Sequence, residues 1–153
     1  MTSPEDRLAE LGHSVPSVVP PVAAYVPAVR SGSLVFTAGQ VPMRDGELVA
    51  AGKVGGDVSV EQGVECAQQC ALNALAAVKA EVGELASVLR VVKAVVFVAS
   101  APDFTGQPGV ANGASELLAA AFGDAGVHAR SAVGVASLPL DSPVEVELVV
   151  EVG

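Results

Sequence analysis

The stretch GVHARSAVGVASLPLDSPVEVELVVEVG, residues 126–153, contains two segments with a period of two. Successive side chains of a strand point to opposite faces. In VEVELVVEV, Val144, Val146, Leu148, Val150 and Val152 therefore line one face, and Glu145, Glu147, Val149 and Glu151 line the other. In ARSAVGVAS, Arg130 shares a face with Ala132, Gly134 and Ala136, while Val133 and Val135 point away. The arginine thus heads a shallow channel floored by small groups, and it is one of only eight basic residues in the chain. One account makes the glutamates the wet face of an edge strand and Arg130 the ion-pair partner of one of them; such surface pairs are common and contribute little. The other account has Arg130 receive a carboxylate from outside, because a guanidinium fork grips it with two parallel hydrogen bonds that lysine cannot imitate. A nearby glutamate then handles a proton or a water. The alternation alone leaves both accounts open.

Upstream, LRVVKAVVFVAS (residues 89–100) reads as a strand whose partly continuous hydrophobicity calls for cover on both faces. GVANGASELLAAAFGDAG (109–126) reads as a helix stopped by glycines. SVEQGVECAQQCALNALAAVKAEVG (59–83) is the clearest helix, with Ser59 and Gln62 placed as a capping box. Its Val60, Val64, Ala67, Ala71, Ala74, Val78 and Val82 recur at helical spacing, and Glu61, Glu65 and Gln68 fall on the other side. SLVFTAGQVP (33–42) is a strand ending at Gly39, and RDGELVA (44–50) an Asp-Gly turn into a short strand. AGKVGGDVS (51–59) lacks the spacing of a phosphate cradle and reads as turns. HSVPSVVPPVAAYVPAV (13–29) has four prolines and is expected to be extended, irregular or an edge. SPEDRLAELG (3–12) is a short helix capped by Ser3. The order gives an α+β fold: one mixed sheet with its two main helices on one face, in a single domain over 1–153 with a short N-terminal helical extension at about 3–12.

The chain has 153 residues, 51% of them hydrophobic but only 3% aromatic, so Val, Ala and Leu must build the core. Such a core gains from burying more surface in an oligomer. The net charge of −9 and the absence of a basic stripe argue against nucleic acid as a partner. Cys66 and Cys70, four apart, fit neither a redox pair nor a zinc pair and are expected to be buried thiols. No apolar run approaches a membrane span, and the N-terminus lacks a leader pattern. These features point to a cytoplasmic protein with no membrane partner.

ARSAVGVASLP followed by VEVE resembles the closing motif of the RidA family, also called YjgF or L-PSP. VFTAGQVP is similar to that family's strand–glycine–glutamine–proline motif, and Tyr25 precedes Gly39 by fourteen residues, as the family's site tyrosine does. The resemblance covers about residues 20–153, and SPEDRLAELG with GASELLAAAFGDAGVHARSAVG resembles a longer subgroup labelled endoribonuclease L-PSP-like. It implies a chorismate-mutase-like (YjgF-type) homotrimer with helices outside, sheets inside and ligand clefts between subunits. The implied activity is hydrolysis of reactive 2-imino and 2-enamino acids to 2-oxo acids and ammonia, with no metal or cofactor. By the same resemblance Arg130 holds the substrate carboxylate and Glu145 acts on water. Tyr25 of a neighbouring subunit walls the pocket, and Gly39 and the backbone at Ala132 offer ligand contacts. Ala132 stands where the family often has cysteine, and Ala38 where serine is common. The family's helix asparagine matches Asn112 by type and Ser115 by counting back from Phe122. His128, two residues before Arg130, is read as structural and His13 as surface. A trimer that only binds a small carboxylate is the alternative, and an endoribonuclease, which the acidity disfavours, is a third reading.

Overall fold

The computed structural model describes residues 2–18, 20, 21 and 24–153. Helix α1 (Pro4–Glu10) is followed by the β1 (Ala28–Ser31) and β2 (Leu34–Thr37) hairpin and by the small β3 (Met43–Arg44) and β4 (Glu47–Leu48) hairpin. Then come α2 (Val60–Val82), β5 (Val88–Ala99), α3 (Gln107–Phe122), β6 (Ala129–Val135) and β7 (Val144–Val152). The main sheet runs β1-β2-β7-β5-β6, with β5 and β6 parallel and every other pairing antiparallel. The α+β fold with helices packed on one face is therefore present.

Local chemistry accounts for these elements. Ser3 and Ser59 cap α1 and α2 through reciprocal capping boxes, with Asp6 as the partner in α1 and Gln62 in α2. Asp45 and Gly46 both have positive φ, which is what a tight hairpin of the expected Asp-Gly type needs. Within 13–27 the described residues form no strand or helix, as four prolines dictate, although Val19, Val22 and Ala23 lie outside the described residues. Strand β1 begins directly after Pro27, within the last residues of that run, and lies at an edge of the sheet, one of the expected outcomes.

Two readings need correction. The carboxylate-bearing strand β7 is no edge: it lies between β2 and β5, and the edges are β1 and β6, the latter carrying Arg130. Strand β5 is covered on one face only within the chain. Ala94, Val96 and Val98 are buried beneath the helices, whereas Val95 and Phe97 on the opposite face remain partly open. Helix α2 also exceeds its stripe. Residues 69–78 are buried all round, because sheet, α3 and the β3–β4 hairpin enclose that part of the helix. Two polar groups in this stretch are satisfied: Asn73 Nδ2 donates to the Val41 and Met43 carbonyls, and Gln69 Nε2 donates to Asn73 Oδ1. Arg44 Nε in turn donates to Gln69 Oε1, so the network ties the hairpin to α2.

Helices α2 and α3 approach closely at Gly113. A Cβ there would stand 2.4 Å from the Val64 carbonyl oxygen, so only glycine permits this crossing. The crossing sets where α3 presents Asn112 and Ser115, the neighbours of Gly113 in the helix. Helix α1 docks on the other end of α3 through buried Leu8 and an Arg7 Nη1 bond to the Ala121 carbonyl.

Candidate functional site

Strand register sorts the candidate residues between two faces. Arg130 lies level with Ala94, and Ala94 with buried Leu148, so Arg130 stands on the helix-covered face. Ala132 follows it on that face, level with Val96 and Val146. Glu145 lies level with Phe97, and Phe97 with Val133, on the opposite, open face. Arg130 and Glu145 of one chain are thus separated by the sheet itself.

On the helix side, Arg130 Nη1 donates to Asn112 Oδ1 at 2.8 Å and to Ser115 Oγ at 3.1 Å. Both residues that the family pattern left in competition therefore meet the same guanidinium nitrogen. Asn112 and Ser115 lie on α3, three residues apart, so they share a helix face. Among the described residues Arg130 forms no salt bridge; the two that occur join Arg44 to Glu65 and Lys79 to Glu5. The ion-pair account of Arg130 fails because its candidate partners face the other way. A part-buried guanidinium remains, steadied by two neutral groups at one nitrogen, with its remaining N–H groups making no hydrogen bond to described residues. It borders a hollow of about 280 Å³ lined by Ser115, Glu116, Ala119, Gly126, Val127, His128 and Arg130.

His128 is tied into this group. Its Nδ1 lies 2.7 Å from the Gly126 carbonyl oxygen and its Nε2 lies 2.9 Å from Ser115 Oγ. A carbonyl only accepts, so Nδ1 carries the hydrogen and, in the neutral ring, Nε2 accepts from the Ser115 hydroxyl. The Ser115 oxygen in turn accepts from Arg130. The structural reading of His128 stands with these bonds, and its link to Ser115 is an addition to it.

On the open face, Glu145 packs against Gly39. A Cβ at Gly39 would stand 2.7 Å from Glu145 Cδ and 2.8 Å from its Oε2, so the absence of a side chain makes room for the carboxylate. Gln40 beside it exchanges backbone hydrogen bonds with Val146. Desolvation raises the Glu145 pKa above the usual carboxylate value, and the neighbouring Glu147 charge adds to the rise. Tyr25 is exposed and stands two residues before Pro27, whose carbonyl accepts the Ala38 N–H. Glu145, with Gly39 against it, thus belongs to one side of the sheet, and Arg130, Asn112, Ser115 and Ala132 to the other.

A larger hollow, about 490 Å³, opens between β1 and α2 beside Arg30 and Glu81. It carries no acid–base or nucleophilic cluster, and Arg30 Nε is already bound to the Gly32 carbonyl. Cys66 and Cys70 are buried free thiols, and burial pushes Cys66 up to about 11 and Cys70 well above its ordinary value. Neither is a nucleophile near neutrality. No cluster of three or more His, Cys, Asp or Glu suited to a metal ion occurs among the described residues. No described helix is long and apolar enough to cross a membrane.

Comparison with known proteins follows the same outline. The family described as Endoribonuclease L-PSP matches residues 16–152. Protein TCP17 of Trypanosoma cruzi is 43% identical over 146 residues, covering 95% of this chain and 91% of that protein. A protein named 2-iminobutanoate/2-iminopropanoate deaminase, from Dermatophagoides farinae, is 32% identical over 139 residues, covering 90% of this chain and 92% of that one. The crystal structure of the Agrobacterium tumefaciens protein Atu1372, of unknown function, superposes with a TM-score of 0.93 at 46% identity, covering 98% of this chain and 92% of that one. The chain belongs to the RidA family, also called YjgF or L-PSP.

Proposed function

We propose that this protein hydrolyses small reactive 2-imino and 2-enamino acids to 2-oxo acids and ammonia, in clefts shared between subunits of a homotrimer. The observation that carries this reading is Arg130: a cation on an edge strand, with no carboxylate partner among the described residues, in a protein of net charge −9. Such a group is arranged to receive an anion from outside. The relative named as a 2-iminobutanoate/2-iminopropanoate deaminase supports the choice of substrate class.

The split between the faces supports a shared cleft. Arg130, Asn112, Ser115 and the backbone at Ala132 supply one wall; Glu145, Gly39 and Tyr25 of a second copy supply the other. The open sheet face supports close assembly of copies, because it exposes Phe36 at 44%, Val29 at 53% and Val133 at 44%. On this reading residues 1–153 act as one unit, a small carboxylate and two further copies are its partners, and no cofactor takes part.

In the reaction Arg130 holds the substrate carboxylate, which fixes the neighbouring imine carbon. With the imine nitrogen protonated, water attacks that carbon, the C=N electron pair moves onto nitrogen to give an amine, and Glu145 takes one proton from the water. Glu145 then returns this proton to the amine, which leaves as ammonia, and the hydroxyl proton is released as the carbonyl forms. A carboxylate whose charge is already penalised by burial is the stronger base for the first step. The test is ammonia release from 2-iminopropanoate generated in situ by an amino-acid oxidase. Release well above the uncatalysed rate is expected. A rate equal to that of buffer, with pyruvate still bound at Arg130, would establish a carboxylate-binding protein in place of an enzyme.

A further inference from the structure

The hydration route leaves one proton without a destination. Water brings two protons to the carbon of the protonated imine. Glu145 carries the first to the departing nitrogen, and the second stays on the new hydroxyl until the carbonyl forms. The arrangement beside Arg130 offers an acceptor. Ser115 Oγ lies 3.1 Å from Arg130 Nη1 and 2.9 Å from His128 Nε2, and His128 Nδ1 is anchored at 2.7 Å by the Gly126 carbonyl. All three side chains line the same hollow, with Glu116 at its border. The anchored Nδ1–H leaves Nε2 of the neutral ring as a proton acceptor, and the Ser115 hydroxyl already points its hydrogen there.

We propose that His128, acting through the Ser115 hydroxyl, takes the proton that the hydrated intermediate loses as ammonia departs. This rests on the deaminase reading above. The intermediate at that point bears a hydroxyl and a protonated amine on the former imine carbon. The O–H pair becomes the second bond of the carbonyl, and its proton passes to Ser115 Oγ. The Ser115 proton moves to His128 Nε2, and the C–N bond breaks with its pair leaving on nitrogen. The products are the 2-oxo acid, ammonia and an imidazolium, which passes its proton to ammonia or water. Ser115 touches the reacting group directly and His128 acts through it. The Arg130 bond to Ser115 Oγ serves the transfer, because a cation beside that oxygen stabilises it as its proton moves.

The anchoring carbonyl is available only because residue 126 is glycine. A Cβ there would stand 2.2 Å from the Leu118 carbonyl oxygen, so the chain runs tightly beneath α3 before His128.

The test starts from His128→Asn, whose amide N–H can still reach the Gly126 carbonyl but which has no group at the Nε2 position. The expected result is a fall in kcat of about 100-fold, the usual scale of one acid–base group, with KM and pyruvate binding within about twofold of the parent. His128→Gly should lose activity similarly and regain it when imidazole is added, with the rescued rate rising with the basicity of substituted imidazoles. Parental kcat in His128→Asn would overturn the proposal. So would a loss confined to KM or to pyruvate binding, or a folded His128→Gly that no imidazole rescues. A parent protein that releases no ammonia would remove the deaminase reading and this inference with it, whereas an active parent with an equally active His128→Asn removes the inference alone.

Discussion

Replacing Arg130 by lysine keeps the charge and removes the fork, which makes it the sharpest test of the carboxylate clamp. In the parent, Nη1 is committed to Asn112 and Ser115, and the other guanidinium N–H groups are left for a ligand. A lysine ammonium has one nitrogen. It either keeps the α3 contacts or turns to the ligand, and in both cases at least one charge-assisted bond to the substrate carboxylate is lost. One such bond contributes about 1.5–3 kcal/mol, which corresponds to a fall in kcat/KM of roughly 10- to 150-fold at about 1.4 kcal/mol per factor of ten. Folding should suffer far less. Arg130 is only partly buried and its helix partners remain within reach of water, so a loss below about 1 kcal/mol is expected, a shift in Tm of less than about 4 °C for a chain of this size. The assay is continuous ammonia release from 2-iminopropanoate, alongside thermal melting and sedimentation. Turnover within threefold of the parent would refute the two-bond clamp. Failure of Arg130→Ala to assemble would give the residue a structural role in place of a binding one.

Glu145→Gln is expected to lower turnover by about 100-fold, as loss of a general base does, while pyruvate still binds at Arg130. The same change should stabilise the fold near neutrality: folding raises the Glu145 pKa, so its favourable contribution exists below the ordinary carboxylate range and is lost as pH rises through the folded value. Denaturant titrations of parent and variant should therefore diverge near pH 7 and converge in strong acid; a variant less stable at pH 7 contradicts the desolvation account. Gly39→Ala puts a methyl 2.7 Å from Glu145 Cδ, and the flexible carboxylate end can swing aside, so melting should hardly change while turnover falls more than about tenfold. Gly113→Ala meets a backbone carbonyl at 2.4 Å that cannot move alone, so a stability loss of about 1–3 kcal/mol is expected by chemical denaturation.

Much of this arrangement was legible in the residues. Capping boxes are short-range chemistry, and Ser59 with Gln62 fixed the start of α2 without reference to the rest of the chain. The alternation in VEVELVVEV predicted the faces of β7 correctly, from Val144 buried to Glu145 half-open and onward. Strand order was not legible, because alternation reports faces and not neighbours. The carboxylates therefore looked like an edge when they lie in the middle of the sheet. Arg130 and Glu145 were both singled out, but only the β5 register places them on opposite faces. The Ser115–His128 contact spans an intervening turn, and no local rule links those positions.

The hydrophobicity of β5 and the position of Glu145 then become parts of one problem. Val95 and Phe97 give β5 the pattern of a strand covered on both faces, yet α2 and α3 cover only one. On the trimer reading the missing cover comes from other copies, which hides Phe36, Val29 and Val133 as well. That burial also takes water from Glu145 and Glu147, which share the face. Removing water from a carboxylate disfavours its charge unless new donors replace the water. Assembly would therefore push the Glu145 pKa further in the direction burial already sets within one chain, and would do so beside the neighbouring copy's Arg130, where a bound substrate has neutralised the guanidinium. On this reading the contact that satisfies the apolar face also strengthens the base further and brings Glu145 of one copy to Arg130 of the next, which the sheet keeps apart within a single chain.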